Sequence, residues 1–226
     1  MKGQFYGQFD PPVDKYIYET FFKHKKLMNK GFFIECGAFD GETECSCKFF
    51  EETLGWKGIN VEPSPVVFEK LLQNRQESIN INVALSNVAG KATFTSVVHP
   101  TFGEMCTNGS LCHGKEHKEW LDSVGCEYKK YDVNVITYKD LIEKNNISKV
   151  DLFVLDVEGN EYNVIESMKG CGVLPKVFCV EHGNLDKYKV RTKVEELGYS
   201  FHSESFVNSF FVKKRKTLLQ LLKKEK

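Results

Sequence analysis

The chain has 226 residues, enough for one sizeable hydrophobic core and most simply a single domain. Its formal net charge is +0 at pH 7, so no overall field favours nucleic acid, and no apolar run approaches the ~20 residues of a membrane-spanning helix. The eight cysteines lack paired spacing, and Met1 to Asp10 lacks the apolar core of a signal peptide, so we expect reduced thiols and a cytoplasmic protein.

The N-terminal region, residues 1–30, is predicted to be a leader followed by a helix. Pro11 and Pro12 interrupt the chain before a helix expected from Val13 to Met28, whose apolar side chains could pack on a sheet edge. Gln8 could close over a ligand, or it could lie in a surface loop, and the sequence leaves both possibilities open.

A strand, a glycine turn and a helix follow the leader. Phe32 to Ile34 is a short apolar run typical of a buried parallel strand, and Glu35 ends it. Gly37 and Gly41 then allow the backbone to turn sharply and approach a ligand. A helix is predicted from Thr43 to Leu54. Strand, glycine turn and helix form the first half of a nucleotide-binding βαβ unit.

The charges of this turn favour a ligand without phosphate groups. A dinucleotide-binding turn reads G-x-G-x-x-G and places a pyrophosphate at the helix N-terminus. Here Phe39 takes the place of the middle glycine, and Asp40 and Glu42 would repel phosphate. S-Adenosylmethionine carries a sulfonium and an ammonium group and no phosphate, so it suits this turn.

The next unit repeats the pattern of a strand that ends in an acid. Residues 57–62 form a predicted strand ending at Glu62, and Ser64 and Pro65 predict the start of a helix that runs to Gln73. A carboxylate about 20 residues after the glycine turn can accept hydrogen bonds from both ribose hydroxyls. Glu35 and Glu62 could instead cap strand ends at solvent, but their placement around one turn favours a ligand site.

The middle of the chain combines two predicted strands, Ser78 to Leu85 and Lys91 to Val97, with an irregular segment at residues 98–131. An insertion of this length is usually functional or disordered, and we interpret it as a lid that shapes an acceptor pocket. Its potential zinc ligands are Cys106, Cys112, His113, His117 and Cys126. Their spacing lacks the paired C-x-x-C motifs of zinc sites. We therefore favour the interpretation that these cysteines pack as small apolar side chains.

The second half of the chain alternates strands and helices. Predicted strands are Asp132 to Ile136, Val150 to Val157, Val177 to Val180, Tyr199 to His202 and Phe206 to Val212, with a turn at residues 203–205. Predicted helices are Thr137 to Asn145, opened by a capping box with Asp140, then Asn160 to Met168 and Asp186 to Glu196. Residues 213–226 form a basic amphipathic tail that could contact an anionic membrane surface or a partner, or pack on the sheet edge.

These motifs resemble the FkbM family of S-adenosylmethionine-dependent methyltransferases. The matching stretches are GFFIECGAFDGET, LGWKGINVEPSP, NVALSNVAGKATF, DLFVLDVEGNEYNVIESM and VFCVEH, which appear in the family's order within residues 31–182. The resemblance implies a single Rossmann-like class I methyltransferase domain of the α/β class over residues 31–212. Its sheet would be mostly parallel and seven-stranded, with helices on both faces.

The resemblance and the strand-end positions together define a candidate site. Predicted cofactor-binding residues are Glu35, Gly37, Ala38, Asp40, Gly41, Thr43, Glu62, Pro63, Ala84, Leu85, Ser86 and Asp156. Predicted catalytic residues are Asp156, Glu158, Glu181 and His182. His182 is the expected general base, although a structural histidine is the alternative. The three acids could orient that base or hold a divalent metal such as magnesium.

Three functions stay open. The resemblance implies O-methylation of a hydroxyl on a small molecule, sugar or glycan. A nucleic-acid ribose methyltransferase would use Lys213 to Lys216 and the lysines around Lys129 against phosphates, which the neutral net charge argues against. A non-catalytic module that binds S-adenosylmethionine is the third, and the intact strand-end acids argue against it. The sequence defines neither the acceptor nor the oligomeric state.

Overall fold

The computed structural model describes residues 3–24 and 30–214. The strands are β1 (Phe32–Cys36), β2 (Lys57–Val61), β3 (Ile79–Ile81), β4 (Ala84–Leu85), β5 (Gly90–Val98), β6 (Glu127–Ile136), β7 (Leu152–Leu155), β8 (Val177–Glu181), β9 (Tyr199–Ser205) and β10 (Asn208–Lys213). The helices are α1 (Val13–Ile17), α2 (Lys48–Leu54), α3 (Pro65–Asn74), α4 (Lys115–Ser123), α5 (Tyr138–Lys144), α6 (Glu161–Ser167) and α7 (Lys187–Glu196), and a π-helical turn at Tyr18–Phe22 follows α1.

The main sheet has seven strands in the order β3-β2-β1-β7-β8-β10-β9. Its first five strands pair in parallel, and β10 runs antiparallel to both β8 and β9. The strand order changes direction between β1 and β7, and ligands of such sheets bind in the crevice outside the carboxyl ends at that point. The predicted α/β fold with a mostly parallel seven-stranded sheet is confirmed.

Two apolar clusters lie on opposite faces of this sheet. Phe33 belongs to the cluster that also contains Phe50 of α2. Ile34 belongs to the cluster that contains Leu141 of α5 and Val164 of α6. Side chains of successive strand residues point to opposite faces, so adjacent residues of β1 contribute to both clusters. The prediction of helices on both faces is therefore confirmed.

Helix α2 begins at Lys48, so the prediction that it starts at Thr43 is wrong. The carboxylate of Glu35 accepts hydrogen bonds from the backbone N–H groups of Ser46 at 2.6 Å and Cys47 at 3.1 Å. These bonds hold the chain before Lys48 in a loop against the end of β1. The helix can form only after that loop, and sequence periodicity alone does not reveal such a contact.

The predicted strand from Ser78 to Leu85 divides into two. Strand β3 joins the main sheet, whereas β4 pairs with β6 in a separate three-stranded sheet of order β4-β6-β5. Between them, Asn82 Nδ2 donates hydrogen bonds to the carbonyl oxygens of Glu62 and Pro63 at 2.8 Å and 3.1 Å. The predicted turn at residues 203–205 is also wrong, because β9 continues to Ser205 and the chain reverses at Phe206, where φ is 51°.

The insertion at residues 98–131 is more regular than the sequence suggests. It contains α4 and the first part of β6, which pairs along its length with β5. Backbone hydrogen bonds in both directions join Thr95 and Ser110, at 2.9 Å and 3.0 Å. Cys126 packs with Val97 and Leu121 in a small apolar cluster. The insertion is therefore anchored to the second sheet.

Two predicted helix caps are confirmed. The Ser64 hydroxyl accepts a hydrogen bond from the N–H of Val67 at the start of α3. Thr137 and Asp140 form the capping box of α5. The predicted N-terminal helix is observed as α1 and the π-helical turn, while its last part at residues 25–29 and the predicted tail at residues 215–226 lie outside the described residues. None of the helices in residues 3–24 and 30–214 is long and apolar enough to cross a membrane.

Candidate functional site

A cavity of about 490 Å³ lies where the carboxyl ends of the central strands meet. Gly37 after β1, Glu62 after β2, Asp156 after β7 and Glu181 at the end of β8 all line it. Its volume is within the roughly 300–1,000 Å³ range of small-molecule sites. The cavity therefore occupies the crevice that this sheet topology predicts for a ligand.

The turn after β1 requires glycine at position 37. Gly37 has φ 83°, and a Cβ atom there would overlap the backbone carbonyl oxygen of Asp156. The N–H groups of Gly37 and Ala38 both donate to the carbonyl oxygen of Val61, at 3.0 Å and 3.1 Å. The backbone of the turn therefore lies in close contact with the ends of β2 and β7, at the wall of the cavity.

Glu62 is held rigidly at the cavity wall. Its Oε2 accepts a hydrogen bond from the N–H of Phe39 at 3.0 Å, and its Oε1 accepts one from the N–H of Ser64 at 2.7 Å. Burial raises the pKa of Glu62 to about 7, although the two N–H groups lower it. Each carboxylate oxygen keeps a further acceptor position, so the side chain can also receive hydroxyl donors from a ligand.

The structure gathers many of the predicted cofactor-binding residues. Those that line the cavity are Gly37, Thr43, Glu62, Pro63, Ala84, Leu85 and Asp156. Those that do not are Glu35, Ala38, Asp40, Gly41 and Ser86. Asp40 instead caps its own turn, because its Oδ1 accepts the N–H groups of Glu42 and Thr43 at 2.9 Å and 2.7 Å. Contact between the lining residues and a cofactor stays a prediction.

Glu35 belongs to a buried ion cluster away from the cavity. Its Oε2 lies 3.3 Å from Nη1 of Arg75, and Oε2 of Glu51 lies 2.6 Å from Nε of the same guanidinium. The Arg75 side chain is 1% exposed and that of Glu35 is 4% exposed. Glu35 does not line the cavity: its carboxylate holds the loop before α2 and pairs with a buried cation, and its contact with a ligand stays a prediction.

The predicted acids after β7 and β8 do converge on the cavity. Burial, with the charges of Glu181 and Glu158, raises the pKa of Asp156 well above its ordinary value. Burial and the charges of Glu181 and Glu161 raise the pKa of Glu158 to about 8. Burial and the charge of Glu161 raise the pKa of Glu181 to about 7. These shifts show an acid-rich wall in which the carboxylates repel one another.

The cavity wall contains no compensating cation in the described part of the chain. Its acidic lining residues are Glu44, Glu62, Glu116, Asp156, Glu158 and Glu181, and no lysine or arginine lines it. An anionic ligand would meet repulsion at this wall, whereas a cationic ligand or a hydrogen-bond donor would be attracted.

Glu161 was not predicted from the sequence. It is fully buried, and its carboxylate accepts the N–H groups of Val157 at 2.8 Å and Gly159 at 3.0 Å, so it anchors the loop after β7. Oxygen atoms of Asp156, Glu161 and Glu181 lie within 4.8 Å of one another, a spacing that a metal ion could bridge. Because the anchoring role accounts for Glu161, this cluster alone gives the magnesium prediction no support. Acidic residues are common in the first turn of a helix, so nothing in the sequence marks Glu161 as an anchor of the loop after β7.

The zinc interpretation of the insertion has no support in the described residues. There the cysteines and histidines of residues 98–131 form no group of three or more ligand atoms close enough to hold a metal. Cys106 and Cys126 instead contribute to the apolar cluster around Leu121. All eight cysteines are free.

His182, the predicted general base, does not line the cavity. Its residue is 8% exposed, and its Nε2 lies 4.0 Å from Oε2 of Glu204 without a hydrogen-bond partner. Burial lowers the pKa of its imidazole. The residue follows β8, its ring lies near Glu204 of β9, and its catalytic role stays a prediction.

Residues outside the predicted cofactor-binding and catalytic sets complete the cavity. From the insertion, Asn108, His117 and Trp120 line it, and from the leader, Gln8 and Phe9 do so. The many glycine, histidine and cysteine residues of the insertion predicted a lid. They did not indicate which of its side chains would line the cavity. Of the two possibilities for Gln8, the structure favours closure over the cavity.

Comparison with known proteins identifies the family. The model of the methyltransferase FkbM domain matches residues 35–201. The structure is similar to methyltransferase FkbM from Methylobacillus flagellatus KT, with a TM-score of 0.51 and 11% identity over 88% of this chain and 50% of that one. This chain thus spans about half the length of that protein. Weaker similarity, with a TM-score of 0.47 and 12% identity, is found to the fibrillarin pre-rRNA processing protein of Methanococcus jannaschii over 85% of this chain and 70% of that one. No curated protein matches. Since the family model covers most of the sequence, the chain belongs to the FkbM methyltransferase family.

Proposed function

We propose that this chain transfers a methyl group from S-adenosylmethionine to a hydroxyl group of an acceptor that carries no phosphate, such as a small molecule, a sugar or a glycan. The observation that carries the proposal is the cavity. It joins a glycine turn and a strand-end carboxylate to an acid-rich wall that no lysine or arginine of the described residues lines.

The half of the cavity nearest β1, β2 and β4 suits the methyl donor. Gly37 lets a ligand approach the backbone, and Glu62 offers acceptor positions for ribose hydroxyls. Leu85 is fixed near this wall because its carbonyl oxygen accepts a hydrogen bond from Asn160 Nδ2 at 2.8 Å. The donor supplies a methyl group already activated on a sulfonium, so the protein's task is mainly to align the acceptor.

The other half of the cavity suits the acceptor. It is formed by the acids after β7 and β8 and by the insertion, from which Trp120 presents a ring that is 53% exposed. The flat apolar face of such a ring can cover a sugar or an aromatic acceptor. A phosphate near Asp156, Glu158 and Glu181 would find no lysine or arginine of the described residues to pair with. This argues against a nucleic-acid acceptor and adds to the argument from neutral net charge.

The test uses isotopically labelled S-adenosylmethionine and acceptors in matched pairs. Uridine is paired with uridine 5′-monophosphate, and octyl glucoside with glucose 6-phosphate. Fractionated cell extract, divided by an anion-exchange resin, extends the panel. We expect label in neutral acceptors or in the unretained fraction.

Label confined to phosphorylated acceptors or to the retained fraction would overturn the proposed acceptor class. Calorimetry with S-adenosylmethionine gives an independent measurement, and a folded chain that fails to bind it would overturn the whole function. Tight binding without transfer to any fraction would instead support the non-catalytic module.

A further inference from the structure

We propose that His117 of the insertion accepts the proton of the acceptor hydroxyl and that Glu158 holds this hydroxyl beside the imidazole. The proposal rests on the proposed function and names the residue that activates its acceptor. It moves the base from the end of β8, where the sequence placed it, to α4.

His117 is a buried histidine with an unused nitrogen at the cavity. Its side chain is 5% exposed and lines the cavity. Its Nδ1 is shielded from solvent and has no hydrogen-bond partner. Buried polar atoms are rarely left unpaired in folded proteins, so an orphaned ring nitrogen at a ligand cavity indicates a partner supplied by the ligand.

The second ring nitrogen determines the tautomer. Nε2 of His117 lies 2.9 Å from Oδ1 of Asn108. An amide oxygen only accepts, so Nε2 carries the hydrogen and Nδ1 keeps its lone pair. Asn108 is held in turn, because its carbonyl oxygen lies 2.7 Å from Nε2 of His113 and its amide group lies 3.4 Å from the sulfur of Cys106. The insertion therefore presents the basic form of the imidazole.

Glu158 faces this lone pair across a gap. Its Oε2 lies 3.8 Å from Nδ1 of His117, too far for a direct hydrogen bond. The same oxygen accepts a hydrogen bond from Asn184 Nδ2 at 2.8 Å, and the carbonyl oxygen of Glu158 accepts one from the Ser110 hydroxyl at 2.7 Å. Glu158 also has φ 56°, a conformation unusual for a residue with a side chain. These contacts fix the carboxyl group where a hydroxyl placed beside it would reach Nδ1.

The charges around His117 keep it neutral near pH 7. Burial and the neighbouring His113 lower the pKa of His117. Across the cavity, Glu158 is the acid that faces it, and the pKa of Glu158 is raised to about 8, mainly by burial. On α4 itself, the Trp120 ring stacks at 6.0 Å from the His117 ring. A neutral imidazole with a free lone pair is the form that a general base requires.

The proposed step balances as follows. The hydroxyl oxygen of the acceptor forms a bond to the methyl carbon, and the bond between that carbon and sulfur breaks with its electron pair left on sulfur. The hydroxyl proton passes to Nδ1 of His117 and gives an imidazolium beside the carboxyl group of Glu158. The proton is released to water when the methylated product leaves.

The first experiment needs no acceptor. Nitrogen NMR of the full chain labelled at histidine, with His117→Gln used to assign the signal, reports the tautomer and the pKa of His117. We expect the Nε2–H tautomer at pH 7 and a pKa below the ordinary value of about 6.5. A proton on Nδ1 at pH 7, or an imidazolium at that pH, would overturn the proposal.

The second experiment uses the neutral acceptor from the panel above that is methylated fastest. His117→Gln should lower kcat by roughly 10²–10⁴-fold, the range for loss of a general base, while the Kd for S-adenosylmethionine stays within about twofold. His99→Gln is the matched control, because His99 is a half-buried histidine of the same insertion that does not line the cavity and whose hydrogen bonds lie within its own turn. It should keep wild-type kcat.

The wild-type pH profile covers the case in which His117→Gln fails to fold. Its kcat/KM should fall at low pH with an inflection at the pKa that NMR gives for His117 in the free enzyme, a feature that a purely structural histidine would not produce. If the wild type transfers methyl groups but His117→Gln keeps its kcat, or the pH profile has no inflection at the pKa of His117, this inference alone is overturned. A wild-type chain that neither binds S-adenosylmethionine nor transfers methyl groups would overturn the proposed function instead.

Discussion

Two groups of buried or half-buried carboxylates lie near the carboxyl ends of the same sheet, and they differ in their counter-charge. Glu35 and Glu51 surround the guanidinium of Arg75, which is 1% exposed. Asp156, Glu158 and Glu181 line the cavity, where the described residues offer no lysine or arginine. In the first group, the paired cluster, one guanidinium pairs with both carboxylates. The second, the cavity cluster, has no such cation among the described residues.

The difference separates a structural role from a ligand-binding one. Buried charges are normally paired, because desolvation of an unpaired charge costs several kcal/mol. In the cavity cluster the consequence is a pKa of about 8 for Glu158 and about 7 for Glu181, both raised first by burial. Acids perturbed in this way and placed in a cleft indicate a site that a ligand completes. A sulfonium with an ammonium group has the charge that this wall lacks.

The largest expected effect comes from breaking the paired cluster. Arg75→Leu should lower the free energy of unfolding by about 3–5 kcal/mol, because it leaves Glu35 and Glu51 buried without a cation. Lys139→Leu is the control, since Lys139 pairs with Glu143 on the surface with side chains 56% and 63% exposed, and should cost at most about 0.5 kcal/mol. Denaturant unfolding of both variants measures this. Equal stability of the two would contradict a structural role for the paired cluster.

The next effect concerns Glu62, the carboxylate after β2 that lines the cavity. Glu62→Ala should weaken S-adenosylmethionine binding by about 1.5–3 kcal/mol, the range for hydrogen bonds to a charged group. Glu69→Ala, an exposed position on α3, is the control and should bind as the wild type does. Calorimetry on folded variants decides the point, and unchanged affinity in Glu62→Ala would remove Glu62 from the binding site.

A smaller effect comes from the cavity cluster itself. Because the pKa of Glu158 is raised to about 8, the folded state holds a proton that the unfolded chain releases near its ordinary pKa of about 4.3. The stability linked to that proton is fully present below pH ~4 and is lost as the pH rises toward ~8. Glu158→Gln should remove this pH-dependent loss of stability, because glutamine does not titrate.

We therefore expect the stability of Glu158→Gln, relative to wild type, to rise by about 1–2 kcal/mol between pH 5 and pH 6, because each pH unit between the unfolded and folded pKa values corresponds to about 1.4 kcal/mol. Thermal unfolding at several pH values measures it. Glu69→Gln, at the exposed position on α3, should show no such trend. A parallel pH dependence in wild type and Glu158→Gln would mean that Glu158 is ionised normally in the folded chain.

The sequence predicted the frame of this site because local signals determine it. Apolar runs located the central strands, and the acid at position 62 followed from strand-end spacing. The paired cluster was not predictable, since its core is a contact between Glu35 and Arg75, 40 residues apart. The same holds for His117 and Glu158, which meet only through the fold of the insertion. The placement of the His182 ring was not predictable for a related reason: the residue follows β8 as expected, but its ring lies near Glu204 of β9.

The last and smallest expected effect tests the charge of the cavity cluster directly. S-Adenosylhomocysteine, the product of methyl transfer, resembles the donor but has a neutral thioether in place of the sulfonium. Between pH 6 and pH 8 the acids of the cavity cluster ionise in part, because burial raises the pKa of Glu181 to about 7 and that of Glu158 to about 8. Each added negative charge attracts the sulfonium and leaves the thioether unaffected, so the affinity ratio of donor to product should rise by about three- to tenfold, on the order of 1 kcal/mol. Both ligands share the ribose and the amino acid group, so changes at Glu62 or in the ammonium group cancel in this ratio.

Competition calorimetry at several pH values measures the affinity ratio of donor to product, and Glu158→Gln should flatten its rise with pH. A ratio that stays constant with pH in the wild type would show that the cavity cluster does not face the sulfonium, and its missing counter-charge would then have to come from the acceptor.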